Sequence, residues 1–303
     1  MLNVNRMKVL REIAGRGSIA AAATALYMTP SAVSQQMATL EREAGTPLLE
    51  RAGRGVRLTA AGRALVEHTE RVLAVLEEAQ ADLDAYAEGV AGQLRTCAFP
   101  TAARSLLVPA LARLSHRLPR LQFTMVDLEP EESIPMLKRG ELDVVLDYEF
   151  NHLPVVHDPG VERRELLVEP IYIALPSTHS LAWQGPVRMA DLREEQWIVG
   201  RDGSPFLELQ LQVANEAGFQ PKVDLHSNDY QVILSAVQAG LGVTLVPPLA
   251  FFAPYPGVVY RAPKDVEVHR RVSAVIRRGS ARSPAIAAVL SALNDVAREM
   301  EAQ

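Results

Sequence analysis

The stretch "TPSAVSQQMATLEREAG", residues 29–45, places Ser31, Ser34, Gln35, Ala38 and Arg42 at spacings of three and four along what reads as a helix. Small hydroxyls, a side-chain amide and a guanidinium on one face are the groups that hydrogen-bond base edges and phosphates in a groove of DNA. Thr29 is a helix cap by type, and Pro30 suits the first helical position, where no amide hydrogen is needed. Val33, Met37, Leu40 and Ala44 fall on the opposite, inward stripe. One polar face alone fits an ordinary solvated helix as well, so its surroundings must decide.

Upstream, "NRMKVLREIAGRG" carries Met7, Leu10, Ile13 and Ala14 at helical spacing and ends on Gly15 and Gly17. Ser18 then caps the short alanine-rich "IAAAATAL", and "YMT" turns the chain into the Pro30 helix, a helix-turn-helix pattern. Downstream, "PLLERAGRGVRLT" reads as a two-stranded wing with Arg51, Arg54 and Arg57 on or near its tip. Guanidinium groups so placed suit a narrow minor groove. The residues expected to meet double-stranded DNA are therefore Ser18, Thr29, Pro30, Ser31, Ser34, Gln35, Arg42, Arg51, Arg54 and Arg57. Charge agrees with this reading. The whole chain of 303 residues carries −5, yet residues 1–58 hold eight basic against four acidic side chains. A locally positive head on an acidic body is the footprint of a nucleic-acid binder.

Residues 59–90 read as one long helix capped by Thr59. Leu65, Val72, Ala79 and Tyr86 recur every seven positions, and Thr69, Leu76 and Leu83 interleave with them. This is a coiled-coil dimerisation seam on a helix of about 40 Å, which would fix the spacing of two recognition helices. A helix packed on its own domain is the alternative.

From about residue 91 strands alternate with helices through "LRTCAF", "QFTMV", "LDVVLDY", "PIYIAL", "WIVG", "KVDLH", "VTLVP" and "RRVSAVIR". The alternation predicts mainly parallel sheets with a ligand outside the carboxyl ends of the strands. Thr101, Ser204 and Asn228 each follow a strand and precede a helix, so their side chains and nearby amides are candidates for a cleft, with simple helix capping as the other reading. Arg104 and Arg201 add positive charge, and an anionic anchor such as a carboxylate follows. Glu129, Asp147, Glu149 and Asp202 beside strand ends favour a second, cationic group on the same ligand.

Other chemistry is missing. No nucleophile with its base, metal cluster or phosphate-cradling loop has convincing spacing, so neither an enzyme nor a cofactor is expected. His152, His157 and Asp158 match no standard metal pattern. The single cysteine, Cys97, excludes a disulfide framework and reads as a small buried side chain. The longest uncharged stretch carries Pro247, Pro248, Pro254 and Pro256, against a membrane span. No export signal is read at the start, so a cytoplasmic location is expected.

The segment "GSIAAAATALYMTPSAVSQQMATLEREAGTPLLERAGRGVRLTAAGRAL" resembles the winged helix-turn-helix of the LysR-type transcriptional regulators. "LRTCAFPTAARSLLVPALARLSHRLPRLQFTMVD", "RGELDVVLD" and "AGLGVTLVP" resemble that family's effector-binding domain. The resemblance implies an α+β multidomain protein: a winged helix-turn-helix (residues 1–58), a linker and dimerisation helix (59–90), and an effector-binding domain (91–303). Two α/β subdomains like those of a periplasmic binding protein would make up the last, one of about 91–165 and 268–303, the other of about 166–267. A small metabolite would lie in the cleft between them, met by Thr101, Ala102, Glu129, Arg201, Ser204, Asn228 and Thr244. Dimers pairing into homotetramers, and contact with RNA polymerase, are the other partners expected. A constitutive DNA binder with a vestigial cleft, or an enzyme tethered to DNA by its head, are the rivals.

Overall fold

A computed structural model describes residues 1–52, 55–85, 90–155, 158–251 and 255–301. They form two compact units, residues 1–84 supplying most of the first and the remainder most of the second.

In the first unit, α1 (Val4–Arg16) is capped by Asn3, whose side chain accepts from the amides of Asn5 and Arg6. It stops at Gly17, which takes the left-handed conformation (φ 69°) that glycine adopts without strain. Helix α2 (Ile19–Ala25) and α3 (Pro30–Ala44) start on the hydroxyls of Ser18 and Thr29 as the sequence implies. Tyr27, in the turn between them, is the one non-glycine residue at positive φ (53°) among those described. Met7, Leu10, Ile13, Ala22, Val33, Met37 and Leu40 close the core. Strands β1 (Leu49–Ala52) and β2 (Gly55–Leu58) pair antiparallel, Leu49 against Leu58, as the wing. Thr59 then accepts from the Gly62 amide and donates to the Pro47 carbonyl, fixing the start of α4 (Ala60–Ala85) against the wing base. Gly62 is required there, since a Cβ would stand 2.1 Å from the Leu48 carbonyl oxygen.

The second unit holds two subdomains. In the first, five strands lie in the order β4 (Leu121–Asp127), β3 (Gly92–Ala98), β5 (Val144–Phe150), β12 (His269–Arg277) and β6 (Val161–Pro170). Helices α5 (Pro100–Ala102) and α6 (Val108–Arg117), joined by a π-helical stretch Ala103–Leu107, pack with α7 (Pro130–Arg139) and α10 (Pro284–Glu301) around it. Cover from helices explains why Leu94, Cys97, Val144, Val145 and Leu146 are buried in continuous apolar runs. Burial pushes the Cys97 thiol pKa up.

The other subdomain holds an antiparallel sheet, β10 (Thr244–Val246), β7 (Tyr172–Pro176) and β11 (Val258–Arg261), and a parallel pair, β8 (Gln196–Val199) with β9 (Lys222–His226). Helices α8 (Pro205–Glu216) and α9 (Tyr230–Gln238) belong to it, with Trp197 fully buried at its centre. The expectation of mainly parallel sheets is corrected here. Strand β12 runs antiparallel to both β5 and β6, and β7 antiparallel to both its neighbours. The strand "VERRELLVEP" is hidden in the sequence because its charges mask the alternation; as a sheet edge it keeps all of them but the buried Glu169 in reach of water.

Candidate functional site

On α3, Ser31, Ser34, Gln35, Ala38 and Arg42 are exposed along one face while Val33, Met37 and Leu40 are buried. The hydroxyls of Ser18 and Thr29 accept from the amides of Ala21 and Ala32, and Ser34 donates to the Pro30 carbonyl at 2.9 Å. Pro30 is exposed at the first helical turn, beside them. Arg42 folds back to the Thr39 hydroxyl (2.9 Å). The Ser31 hydroxyl shares a hydrogen bond with that of Thr29 (3.0 Å), so Gln35 presents the least committed polar group of this face. On the wing, Arg51 is exposed and Arg57 pairs with Glu50 at 2.8 Å; Arg54 lies outside the described residues.

Along α4 the heptad positions divide. Leu65 joins the core of the winged head, and Thr69 is buried, its hydroxyl on the Leu65 carbonyl. Val72, Val75, Leu76 and Leu83 stand exposed with Ala79, and Tyr86 lies outside the described residues. The first two heptad positions, Leu65 and Thr69, thus pack within the chain's own head.

Between the two subdomains lies a cavity of about 520 Å³. Thr101, Glu129, Arg201 and Asn228 line it, with Arg104. Ala102, Ser204 and Thr244 do not, which corrects three expectations. Ala102 is buried beside the chain's turn into the π-helical stretch. The Ser204 hydroxyl caps α8 on the Leu207 amide. Thr244 is buried behind β8, donating to the Ile198 carbonyl at 2.8 Å and accepting from Gln210. Asp147 and Glu149 also miss the cavity. Strand alternation sends Tyr148 and Phe150 into it, while Asp147 and Glu149 both turn to Arg163. Asp202 is exposed and is not among the lining residues. Asn228 accepts the Arg201 amide at 2.9 Å and so positions that residue's loop.

Three residues that the sequence reading missed dominate the interior: Tyr148, Tyr230 and Arg270. Arg270 is fully buried, with Nη2 2.6 Å from Glu169 Oε1 and 3.3 Å from the Thr101 hydroxyl. Its guanidinium lies over Phe99 (5.0 Å to the ring centroid) and Tyr148 (5.4 Å). Burial alone would lower its pKa, but the charge and hydrogen bond of Glu169 together with Tyr230 and Tyr148 outweigh that and hold it raised. Tyr148 donates to Glu129 Oε2 at 3.3 Å. Burial, then the charge of Glu131, pushes the Glu129 carboxyl above its ordinary value, and burial keeps both Tyr148 and Tyr230 neutral far beyond the usual phenol range. No group of three or more His, Cys, Asp and Glu among the described residues is arranged for a metal, and His152 instead meets Glu216 at 3.0 Å; His157 lies outside them. Among the described residues no helix is long and apolar enough to cross a membrane.

A winged helix-turn-helix with a polar recognition face, carried with a two-lobed body around a charged cavity, defines a ligand-responsive DNA-binding protein. The family described as "Bacterial regulatory helix-turn-helix protein, lysR family" matches residues 4–63, and "LysR substrate binding domain" matches residues 87–298. The transcriptional dual regulator GltC of Bacillus subtilis is 27% identical over 277 residues, 91% of each chain. The HTH-type transcriptional regulator ShiR of Corynebacterium glutamicum is 31% identical over 265 residues, 86% of this chain and 88% of its own. The solved structure of HinK, a LysR family transcriptional regulator from Pseudomonas aeruginosa, aligns with a TM-score of 0.60 at 21% identity, covering 98% of this chain and 99% of that one. The chain belongs to the LysR family: it is a DNA-binding transcriptional regulator, not an enzyme, and its C-terminal domain binds a small effector.

Proposed function

We propose that this regulator reads its operator through Ser31, Ser34, Gln35 and Arg42 in the major groove, with Ser18, Thr29 and Pro30 near phosphates and the wing arginines Arg51, Arg54 and Arg57 beside them. Two heads are held together through the exposed stripe Val72, Leu76, Ala79 and Leu83 of α4, with Tyr86 beyond it, and dimers pair into tetramers that touch RNA polymerase in the cytoplasm. The effector carries a carboxylate and lies in the cavity lined by Thr101, Glu129, Arg201 and Asn228. The cavity's lining from both subdomains carries this reading, because a ligand touching both lobes stabilises whichever closure it fits better. Footprinting of the operator with and without a ligand that binds residues 91–303 tests it. A footprint indifferent to every such ligand would favour a constitutive binder.

A further inference from the structure

We propose that the effector is a zwitterion of the amino-acid type, its carboxylate held by Arg270, Thr101 and Tyr230 and its ammonium by Glu129. The inference rests on the reading of this cavity as the effector site.

Arg270 supplies the first half. It is 2% exposed, and its Nε and Nη2 are engaged with Glu169, but Nη1 makes no hydrogen bond among the described residues although the side chain lines the cavity. A guanidinium edge whose remaining donor opens on the cavity offers itself to an acceptor, and a planar carboxylate matches its fork. Two neutral donors stand beside it. The Thr101 hydroxyl accepts from Arg270, leaving its own hydrogen available. The Tyr230 hydroxyl makes no hydrogen bond among the described residues, and the charges of Arg270, Glu169 and Glu129 all act on it. Arg201, in contrast, is exposed, so water weakens its hold on an anion.

Glu129 supplies the second half. It occupies the N-cap position of α7, where a carboxylate would ordinarily bond the helix amides, yet its side chain makes no capping bond. It turns instead into the cavity, toward Tyr148. The single Tyr148 ring thus bears Glu129 at its hydroxyl and Arg270 over its face. Two opposite charges flanking one phenol suit a ligand whose own two charges sit a few bonds apart.

Charge balance then separates the ligand classes. Glu169 already neutralises Arg270, and of the remaining lining charges Arg104 and Arg201 face Asp127, Glu129, Glu132 and Asp229, so a simple carboxylate would add to a wall that is already net negative. A simple amine would leave Nη1 of Arg270 unmet. A zwitterion satisfies both ends.

The full chain is screened by thermal shift against the common L-amino acids, and the best binder is titrated calorimetrically beside its deaminated acid and its decarboxylated amine. The amino acid is expected to bind about tenfold or more tighter than either. Glu129→Gln should shrink the advantage over the deaminated acid to within about twofold, while Tyr230→Phe and Thr101→Val weaken both acids alike. Circular dichroism checks that each variant is folded. If no amino acid binds, if the deaminated acid binds as well, or if Glu129→Gln leaves the ratio unchanged, the zwitterion is overturned. A ligand of another class that weakens with Tyr230→Phe would overturn the class yet keep the cavity as effector site; one indifferent to Tyr230→Phe and Thr101→Val would overturn both.

Discussion

Arg270 and Glu169 occupy directly opposed positions on antiparallel strands β12 and β6, and their buried side chains close to 2.6 Å. The second carboxylate oxygen of Glu169 accepts the Leu249 amide at 2.8 Å, while Arg270 reaches Thr101. One ion pair therefore ties the strands that cross between the subdomains to a residue of each.

Breaking that pair should be costly. Glu169→Leu leaves a buried, uncompensated guanidinium and is expected to lower unfolding free energy by about 3–5 kcal/mol, whereas Glu169→Leu with Arg270→Met costs far less than the two single changes summed. Urea unfolding of the four proteins checks this. Additive losses would mean that the two charges act independently.

Gln35 and Arg51 should separate base reading from backbone attraction. Gln35→Ala is expected to cost about 1–3 kcal/mol at the cognate operator and to relax preference at one position of each half-site. Arg51→Ala should weaken all sequences alike and flatten the salt slope by about one unit. Competition binding against single-base operator variants distinguishes them, and a uniform loss with Gln35→Ala would remove that residue from base reading.

The stripe on α4 offers a sharper test than the heptad pattern did. Leu76 and Leu83 are 50% and 66% exposed, so a charge there is harmless to an isolated chain. Leu76→Glu should leave the thermal stability of the head unchanged but weaken dimerisation by about tenfold or more, since an unpaired ion would be buried in the seam. Sedimentation velocity reads the result. An intact dimer would return the stripe to solvent.

Asp143 makes stability depend on acid. Burial pushes its carboxyl up, but the Arg95 side chain and backbone amide, helped by Arg277, more than offset this and hold the pKa below its ordinary value. A depressed carboxyl stabilises the fold above its unfolded pKa of about 3.9, and the contribution fades as pH falls from there through the folded value. Asp143→Asn should therefore cost stability at neutral pH and flatten the loss below about pH 4. Denaturant midpoints across that range test it, and parallel curves would show that Asp143 is not the group responsible.

What the sequence disclosed followed from how local each signal is. Ser18, Thr29 and Thr59 were legible because a cap is decided by the residue and the three amides after it. Thr101 and Asn228 were legible as strand-to-helix junctions, but Ser204 in the same kind of place is used up by capping. Arg270 was hidden: in "HRRVSAVIR" it and Arg271 are neighbours of like charge, and only the sheet decides that one points into the cavity and the other to Glu165. Tyr148 was hidden likewise among Asp147 and Glu149, and Glu169 ends a strand whose charges concealed it. Leu65 misled because a heptad position and a core position look alike until the head is packed against them.

The strand that carries Arg270 has a consequence for biosynthesis. Strand β12 sits between β5 and β6, yet the whole of the second subdomain is translated before it. On the ribosome the head is finished early, the contiguous second subdomain next, and β6 has no partner until His269–Arg277 emerges to fill the gap. A polypeptide that stops short of His269 therefore lacks the strand that joins β5 to β6 and, with it, the arginine at the centre of the cavity.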